Sequence, residues 1–168
     1  GGWAPGDQAE AELAGYAAKG FTAVKMRAEG RDGFSFEKTI RRVKAARRGV
    51  GPDVELMVDA HGSLDVTTAI RLAKMMEEHN VAWFEEPVSA DNHAGQAEVR
   101  RATSVPIASG ESESTRFDFV DLLEKGAVDV IQPDIAIAGG FTEVRRIAML
   151  GHAHGIRIAP PVWSSGVL

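Results

Sequence analysis

Four short apolar runs in this chain each stop at an acid, and they do so at nearly even intervals. Val54-Glu55-Leu56-Met57-Val58 ends at Asp59, Val81-Ala82-Trp83-Phe84 at Glu85, Val105-Pro106-Ile107-Ala108-Ser109-Gly110 at Glu111, and Val128-Asp129-Val130-Ile131-Gln132-Pro133 at Asp134. The acids follow one another at steps of 26, 26 and 23 residues, about what a strand, a helix and two short loops occupy. Runs this short and apolar suit strands buried on both faces. Pro87 cannot donate to a sheet ladder, so the third strand ends by Glu86. One acid at the carboxyl end of each strand collects the acids on one face of a parallel sheet, the face where α/β folds place their ligands.

The remaining elements follow from periodicity. Asp7 with Glu10 reads as a capping box opening a helix that runs to Lys19, with Gly20 as its stop. Phe21 to Arg27 reads as the first strand, with Lys25 and Arg27 on one side. Ser35 opens a second helix whose apolar stripe includes Phe36, Ile40, Val43 and Val50. Its basic run, Arg41, Arg42, Lys44, Arg47 and Arg48, reads as a solvated face. Residues 91–103 suggest a short helix, Arg116 to Lys125 another with Gly126 as its stop, and Gly139-Gly140 precede a last one. Ile156 to Ala159 reads as a sixth strand. His79, His93, His152 and His154 fall in helix ends or loops and read as solvated. Six βα units without a change of pattern favour a barrel over an open doubly wound sheet, and neither a G-x-G-x-x-G after the first strand nor a Walker loop is present.

Composition excludes several functions. The 168 residues carry 19 basic and 24 acidic side chains, a net charge of −5, so nothing favours nucleic acid or an anionic membrane surface. No cysteine is present, which removes disulfides, zinc–thiolate sites and thiol nucleophiles and is compatible with a cytoplasmic location. No run is long and apolar enough to span a bilayer.

Three carboxylates gathered at one sheet end repel by about 4 kcal/mol per pair at ~4 Å and an effective dielectric near 20. Either some stay protonated or a cation sits among them. Oxygen donors alone select a hard ion, and Mg²⁺ fits three carboxylates with water or substrate oxygens. Lys25 and Arg27, one unit earlier, add positive charge for an anionic ligand. A small carboxylate held there would have its α-proton acidified, because the enediolate formed by its loss is stabilised electrostatically.

Val24-Lys25-Met26-Arg27, Val58-Asp59-Ala60-His61, Trp83-Phe84-Glu85-Glu86-Pro87, Gly110-Glu111-Ser112 and Gln132-Pro133-Asp134 with Gly139-Gly140 together resemble the enolase superfamily, in its mandelate racemase/muconate-lactonising branch. The resemblance implies an α/β fold of the (β/α)₈ TIM-barrel type, with residues 1–168 as part of a C-terminal barrel domain that lacks its first and last strands and its capping domain. The strands at Val24 and Ile158 are then expected to be open edges. It further implies Asp59, Glu85 and Glu111 as Mg²⁺ ligands, Lys25 facing a substrate carboxylate, and Asp134 orienting a catalytic His. The Asp-x-His at 59–61 resembles sugar-acid dehydratases of the galactonate dehydratase type, where that His (His61 here) protonates the departing hydroxyl.

Two positions depart from the family pattern. Arg27 stands where many relatives have a second Lys, and Arg stays protonated, suited to gripping an anion. Pro161 follows Ala159-Pro160 where relatives have a His, which leaves Asp134 without its expected partner. The reading is therefore a Mg²⁺-dependent sugar-acid dehydratase, a hydro-lyase with Lys25, Arg27, His61 and Asp134 at its catalytic centre. A non-catalytic relative that binds a metal or an acid ligand, an inactive barrel fragment, or a racemase or epimerase of a 2-hydroxy acid are the alternatives. The expected partner is a small sugar acid, without nucleic acid or membrane; a homo-oligomer is compatible with the sequence.

Overall fold

The computed structural model describes residues 2–161. Six parallel strands, β1 (Ala23–Arg27), β2 (Glu55–Asp59), β3 (Val81–Glu85), β4 (Ile107–Ser109), β5 (Val130–Ile131) and β6 (Arg157–Ile158), lie side by side in chain order. Helix α1 (Gln8–Ala17) precedes β1, and α2 (Phe36–Val50), α3 (Val66–Met76), α4 (His93–Ala102), α5 (Arg116–Glu124) and α6 (Phe141–Ala153) fill the crossovers. A doubly wound sheet reverses strand order at a switch point. Here the order runs straight through, as in successive units of a (β/α)₈ barrel.

Alternation along the strands divides the sheet into two faces. Leu56, Val58, Phe84, Ile107 and Ile131 are fully buried in the layer packed by helices. Met57, Trp83, Ala108 and Val130 form a separate cluster on the other face, with Ala23, Ala82 and Ala159 against it. Two residues beyond Met57 and Trp83, Asp59 and Glu85 fall on that second face at the carboxyl ends. Strand register sets Arg27 beside Asp59 and Asp59 beside Glu85, so three charged residues form a row across β1, β2 and β3.

Helix starts obey capping chemistry. Ser35, Asp65, Asn92 and Thr115 each accept a backbone N–H from the first turn of α2, α3, α4 and α5. Asp7 does not: its carboxylate accepts from Arg41 and Arg48 of α2, and Glu10 also pairs with Arg48. The expected capping box is absent because these guanidinium groups draw both acids across to the neighbouring helix. Helix α1 ends at Ala17, two residues before the expected Lys19, and β1 begins at Ala23, leaving Phe21 exposed.

Two further expectations are corrected. The basic run of α2 is not uniformly solvated. Arg42 is 1% exposed, and its guanidinium donates to the carbonyls of Gly2, Ala4, Arg27 and Ala28 at 2.7–3.2 Å. Arg47 is half-buried and donates to the carbonyls of Gly51, Val54, His79 and Asn80. Nor is the outer edge of β1 fully open. Gly2 bridges to Met26 in parallel, its N–H donating to Lys25 O at 2.8 Å and its carbonyl accepting from Arg27 N at 3.1 Å.

Candidate active site

The row of charges opens onto a cavity of about 480 Å³ at the carboxyl ends of the strands, lined by Lys25, Arg27, Asp59, His61, Glu111 and Ser112, with Trp3 and Ile137 among its walls. Each position has a local cause. Glu85 is 0% exposed, and its Oε2 accepts from Trp83 Nε1 at 3.0 Å and from Gln132 Nε2 at 2.9 Å. Its Oε1 accepts from the Lys25 ammonium. Asp59 Oδ2 accepts from Arg27 at 2.6 Å and lies 3.7 Å from Lys25 Nζ, while Oδ1 accepts from the backbone N–H of His61 at 2.8 Å.

Glu111 reaches the site through Gly110. That residue has φ of +132°, and a Cβ on it would come within 2.7 Å of the Phe119 ring and 3.0 Å of Gln132 N. Only glycine fits. His61 and Glu86, which follow the ends of β2 and β3, have φ of 50° and 38°, a left-handed geometry costing about 1–3 kcal/mol each for such residues. The turn brings His61 Nδ1 to 3.1 Å from Glu111 Oε1 and 3.5 Å from Glu86 Oε2. Ser112 donates to Glu86 Oε1 at 3.0 Å.

The electrostatics are those of a site short of positive charge. Burial, reinforced by the neighbouring Glu111, pushes the Glu86 carboxyl up to about 7. Burial and the Glu85 charge also raise Glu111. Burial opposes the charge on Lys25, but Glu85, Asp59 and Glu111 outweigh it and hold its pKa above the ordinary value. Four carboxylates thus face two fixed cations, Lys25 and Arg27. An added cation suits this donor set, and His61, Glu86 and Glu111 already offer one ligand atom each within 4.8 Å of one another.

All of the sequence-derived site residues except Asp134 are brought together, though not in the expected grouping. Lys25 lies against Glu85 and Asp59, and Glu111 sits with His61 and Glu86. Asp134 is buried, and its Oδ1 accepts from Ala136 N at 2.7 Å and Ile137 N at 3.1 Å. Its carboxylate thus holds the turn that carries Ile137 to the cavity. Sequence reasoning gave no role to Trp3, Glu86, Trp83 or Gln132. The acid–acid–proline run was a usable signal for Glu86, whereas Trp3 lies in a stretch that reads only as loop.

His93 is a correction. Instead of being solvated it is largely buried, with Nδ1 2.6 Å from Asp121 and Nε2 3.0 Å from Glu113, because α5 presents Asp121 and the loop before it presents Glu113 to the ring. His79 is also mostly buried, while His152 and His154 are exposed as expected.

Residues 8–168 match the family described as enolase C-terminal domain-like. The chain belongs to that family. This enolase-family chain is 40% identical over 156 residues to D-galactarolactone cycloisomerase of Agrobacterium fabrum, covering 93% of itself and 40% of that relative. It is 37% identical over 124 residues to D-galactonate dehydratase of Ralstonia pickettii, covering 74% of itself and 32% of the relative. Among solved structures, the 3,6-anhydro-D-galactonate cycloisomerase of Zobellia galactanivorans superposes with a TM-score of 0.86 at 36% identity, over 92% of this chain and 43% of that one. The chain therefore spans about 40% or less of the length of these curated relatives. No helix among the described residues is long and apolar enough to cross a membrane.

Proposed function

We propose that residues 1–168 are part of the barrel domain of a Mg²⁺-dependent sugar-acid hydro-lyase, a cytoplasmic enzyme that removes the proton α to a carboxylate and expels a hydroxyl as water. The observation that carries this reading is the Lys25 ammonium lodged against Glu85 and near Asp59, beside Glu111, in a cavity also lined by Arg27. The site holds excess negative charge and already attracts a cation. The names of the related proteins, dehydratases and cycloisomerases of sugar acids and their lactones, supply the substrate class.

In this reading Asp59, Glu85 and Glu111 hold the ion, and all-oxygen donors favour a hard one. When bound, it supplies the positive charge that stabilises the enediolate left as the α-proton departs. Glu85 is oriented by its three donors, Lys25, Trp83 and Gln132. Lys25 and Arg27 bind the substrate carboxylate. His61 Nδ1 faces Glu111 and Glu86, so Nε2 is the nitrogen available to a substrate, where it protonates the departing hydroxyl. Asp134 has no imidazole partner at 161. His61 therefore also removes the α-proton, which requires the proton and hydroxyl to leave from the same side.

Pro161 favours a second reading, a relative that binds metal and acid without turnover. One experiment separates them. Full-length protein is assayed for keto-deoxy acid on D-galactonate, L-rhamnonate and D-galactarolactone, with Mg²⁺ and with EDTA, alongside calorimetric titration of Mg²⁺. Mg²⁺-dependent product, with metal binding lost in Glu85→Gln, supports the hydro-lyase. Metal binding without product supports the second reading, and metal binding unchanged in Glu85→Gln overturns the ligand assignment.

A further inference from the structure

Trp3 lies in the short segment before α1, yet it forms part of the cavity wall. It is 41% exposed, so much of its ring surface is open. The Arg27 guanidinium sits 5.0 Å from the ring centroid while donating to Asp59 at 2.6 Å. Arg27 is thus bracketed between an aromatic face and a buried carboxylate. Such a pairing presents one polar and one apolar surface to the same bound molecule.

What fixes Trp3 is a residue outside the cavity. Arg42 of α2 is buried and makes no ion pair among the described residues; its guanidinium goes instead to backbone carbonyls. Nε donates to Ala4 O at 2.8 Å and one terminal nitrogen to Gly2 O at 3.2 Å, which pins the backbone on both sides of Trp3. The other terminal nitrogen donates to Arg27 O at 2.7 Å and Ala28 O at 3.2 Å. Burial depresses the Arg42 pKa, with Asp32 and Glu12 offsetting part of that effect. Taking a guanidinium out of water without a carboxylate is costly. Hydrophobic side chains could fill the volume, but they could not bind four carbonyls on two separate segments at once.

We propose that Trp3 is a specificity-determining residue of the cavity, stacking on the C–H face of a polyhydroxy acid, and that Arg42 is the positioning residue that holds Trp3 against Arg27. The ligand class rests on the sugar-acid reading above; the Arg42–Trp3 coupling does not. A sugar acid carries a carboxylate for Arg27 and Lys25 and a row of C–H bonds along its carbon chain. A short 2-hydroxy acid carries the carboxylate and hydroxyl but no chain long enough to reach the indole. Trp3 therefore discriminates by length and by apolar face, while the charged row holds the end common to both.

The test uses full-length protein and two measurements. The first is calorimetric binding, with Mg²⁺ present, of D-galactonate and of L-lactate. Trp3→Ala is expected to weaken D-galactonate roughly tenfold, the worth of about 50 Å² of lost apolar contact, and to leave L-lactate within twofold. Trp3→Phe should restore most of the difference. Equal weakening of both acids, or of neither, overturns the specificity role. The second measurement is the ¹⁹F spectrum of ligand-free protein labelled with 5-fluorotryptophan, the Trp3 resonance being assigned by its loss in Trp3→Phe. Arg42→Lys should move or broaden that resonance and leave that of Trp83 in place. Arg42→Met, if it folds, should do so more strongly. A merely structural Arg42 would lower the melting temperature without singling out Trp3, and an unshifted Trp3 resonance in a folded Arg42→Lys protein overturns the coupling. Failure of wild-type protein to bind any sugar acid would sink the sugar-acid reading and the ligand assigned to Trp3, while the ¹⁹F result would still decide the coupling.

Discussion

The Lys25 ammonium donates to Glu85 Oε1 across the β1–β3 span of the sheet, although the two residues are 60 positions apart. It occupies the region where the strand-end acids converge, and it does so as a tethered monovalent cation. A divalent ion entering this region competes with it for the same carboxylate. Lys25→Met should therefore tighten Mg²⁺ binding by about tenfold, a small part of the Coulomb energy available at an effective dielectric near 20. The same variant should weaken binding of a carboxylate ligand. Calorimetric titration with each reads both effects, and weaker Mg²⁺ binding in Lys25→Met would show that the ammonium supports the metal instead of displacing it.

Pro161 offers no titratable group and no N–H. General acid–base catalysis contributes about 10²–10⁴-fold. Pro161→His in full-length protein should raise turnover of a sugar-acid substrate by at least roughly a hundredfold, equivalent to about 3 kcal/mol in the barrier. Keto-deoxy acid release measures this. Equal rates in the two proteins would show that an imidazole at 161 adds nothing to the base that His61 already supplies.

His93 joins α4 to α5 and to the loop beyond Glu111. Burial disfavours its charge, but hydrogen bonds to Asp121 and Glu113 and their charges prevail, so its pKa lies above the ordinary value. Lys125 pairs with Asp121, and Asp118 and Asp91 lie near Glu113. A raised folded pKa stabilises fully below the unfolded value near 6.5 and is lost as pH rises through the folded value. The melting-temperature gap between wild type and His93→Gln should thus be wider at about pH 6 than at about pH 9. A gap that is constant or widens with pH would remove the imidazolium from the account.

Gly49 lies where α2 packs against the backbone of α1. A Cβ there would lie 2.3 Å from the carbonyl oxygen of Glu10, a backbone atom that cannot swing aside. Gly49→Ala should cost about 1–3 kcal/mol in spite of alanine's better helix propensity. Chemical denaturation measures the loss, and a stabilised variant would mean that the helices separate at little cost.

Most of the architecture was legible because it rests on local rules. Strands ending in acids, the Ser35 cap and the Gly126 stop can be read within a few residues of themselves. What escaped depends on distant partners. Arg42 looks like any residue of a basic face, and only the carbonyls of Gly2, Ala4, Arg27 and Ala28, 14 to 40 positions away, explain its burial. Asp7 and Glu10 have capping-box spacing, but Arg48 outcompetes the cap. His93 carries no sign in sequence that Glu113 and Asp121 will meet its ring. That Asp59, Glu85 and Glu111 would share one face of the sheet was read from spacing alone. Their pairing with particular cations was not, because Lys25 and His61 each had several acids within reach.

The straight strand order has a consequence for how the molecule fails. Every ladder joins strands adjacent in chain order, so unfolding can proceed from either side without dismantling the middle. Asp59 and Glu85 sit on strands flanked on both sides, and Glu111 follows another. Trp3 is carried by the segment on the outer edge of β1, and Pro161 follows β6. Fraying would reach the groups that choose a ligand before those that gather charge. In residues 1–168 expressed on their own, amide exchange should accordingly be slowest in β2 through β4 and fastest at Gly2 and β6, leaving a partly opened chain able to hold an ion after it has lost its selectivity.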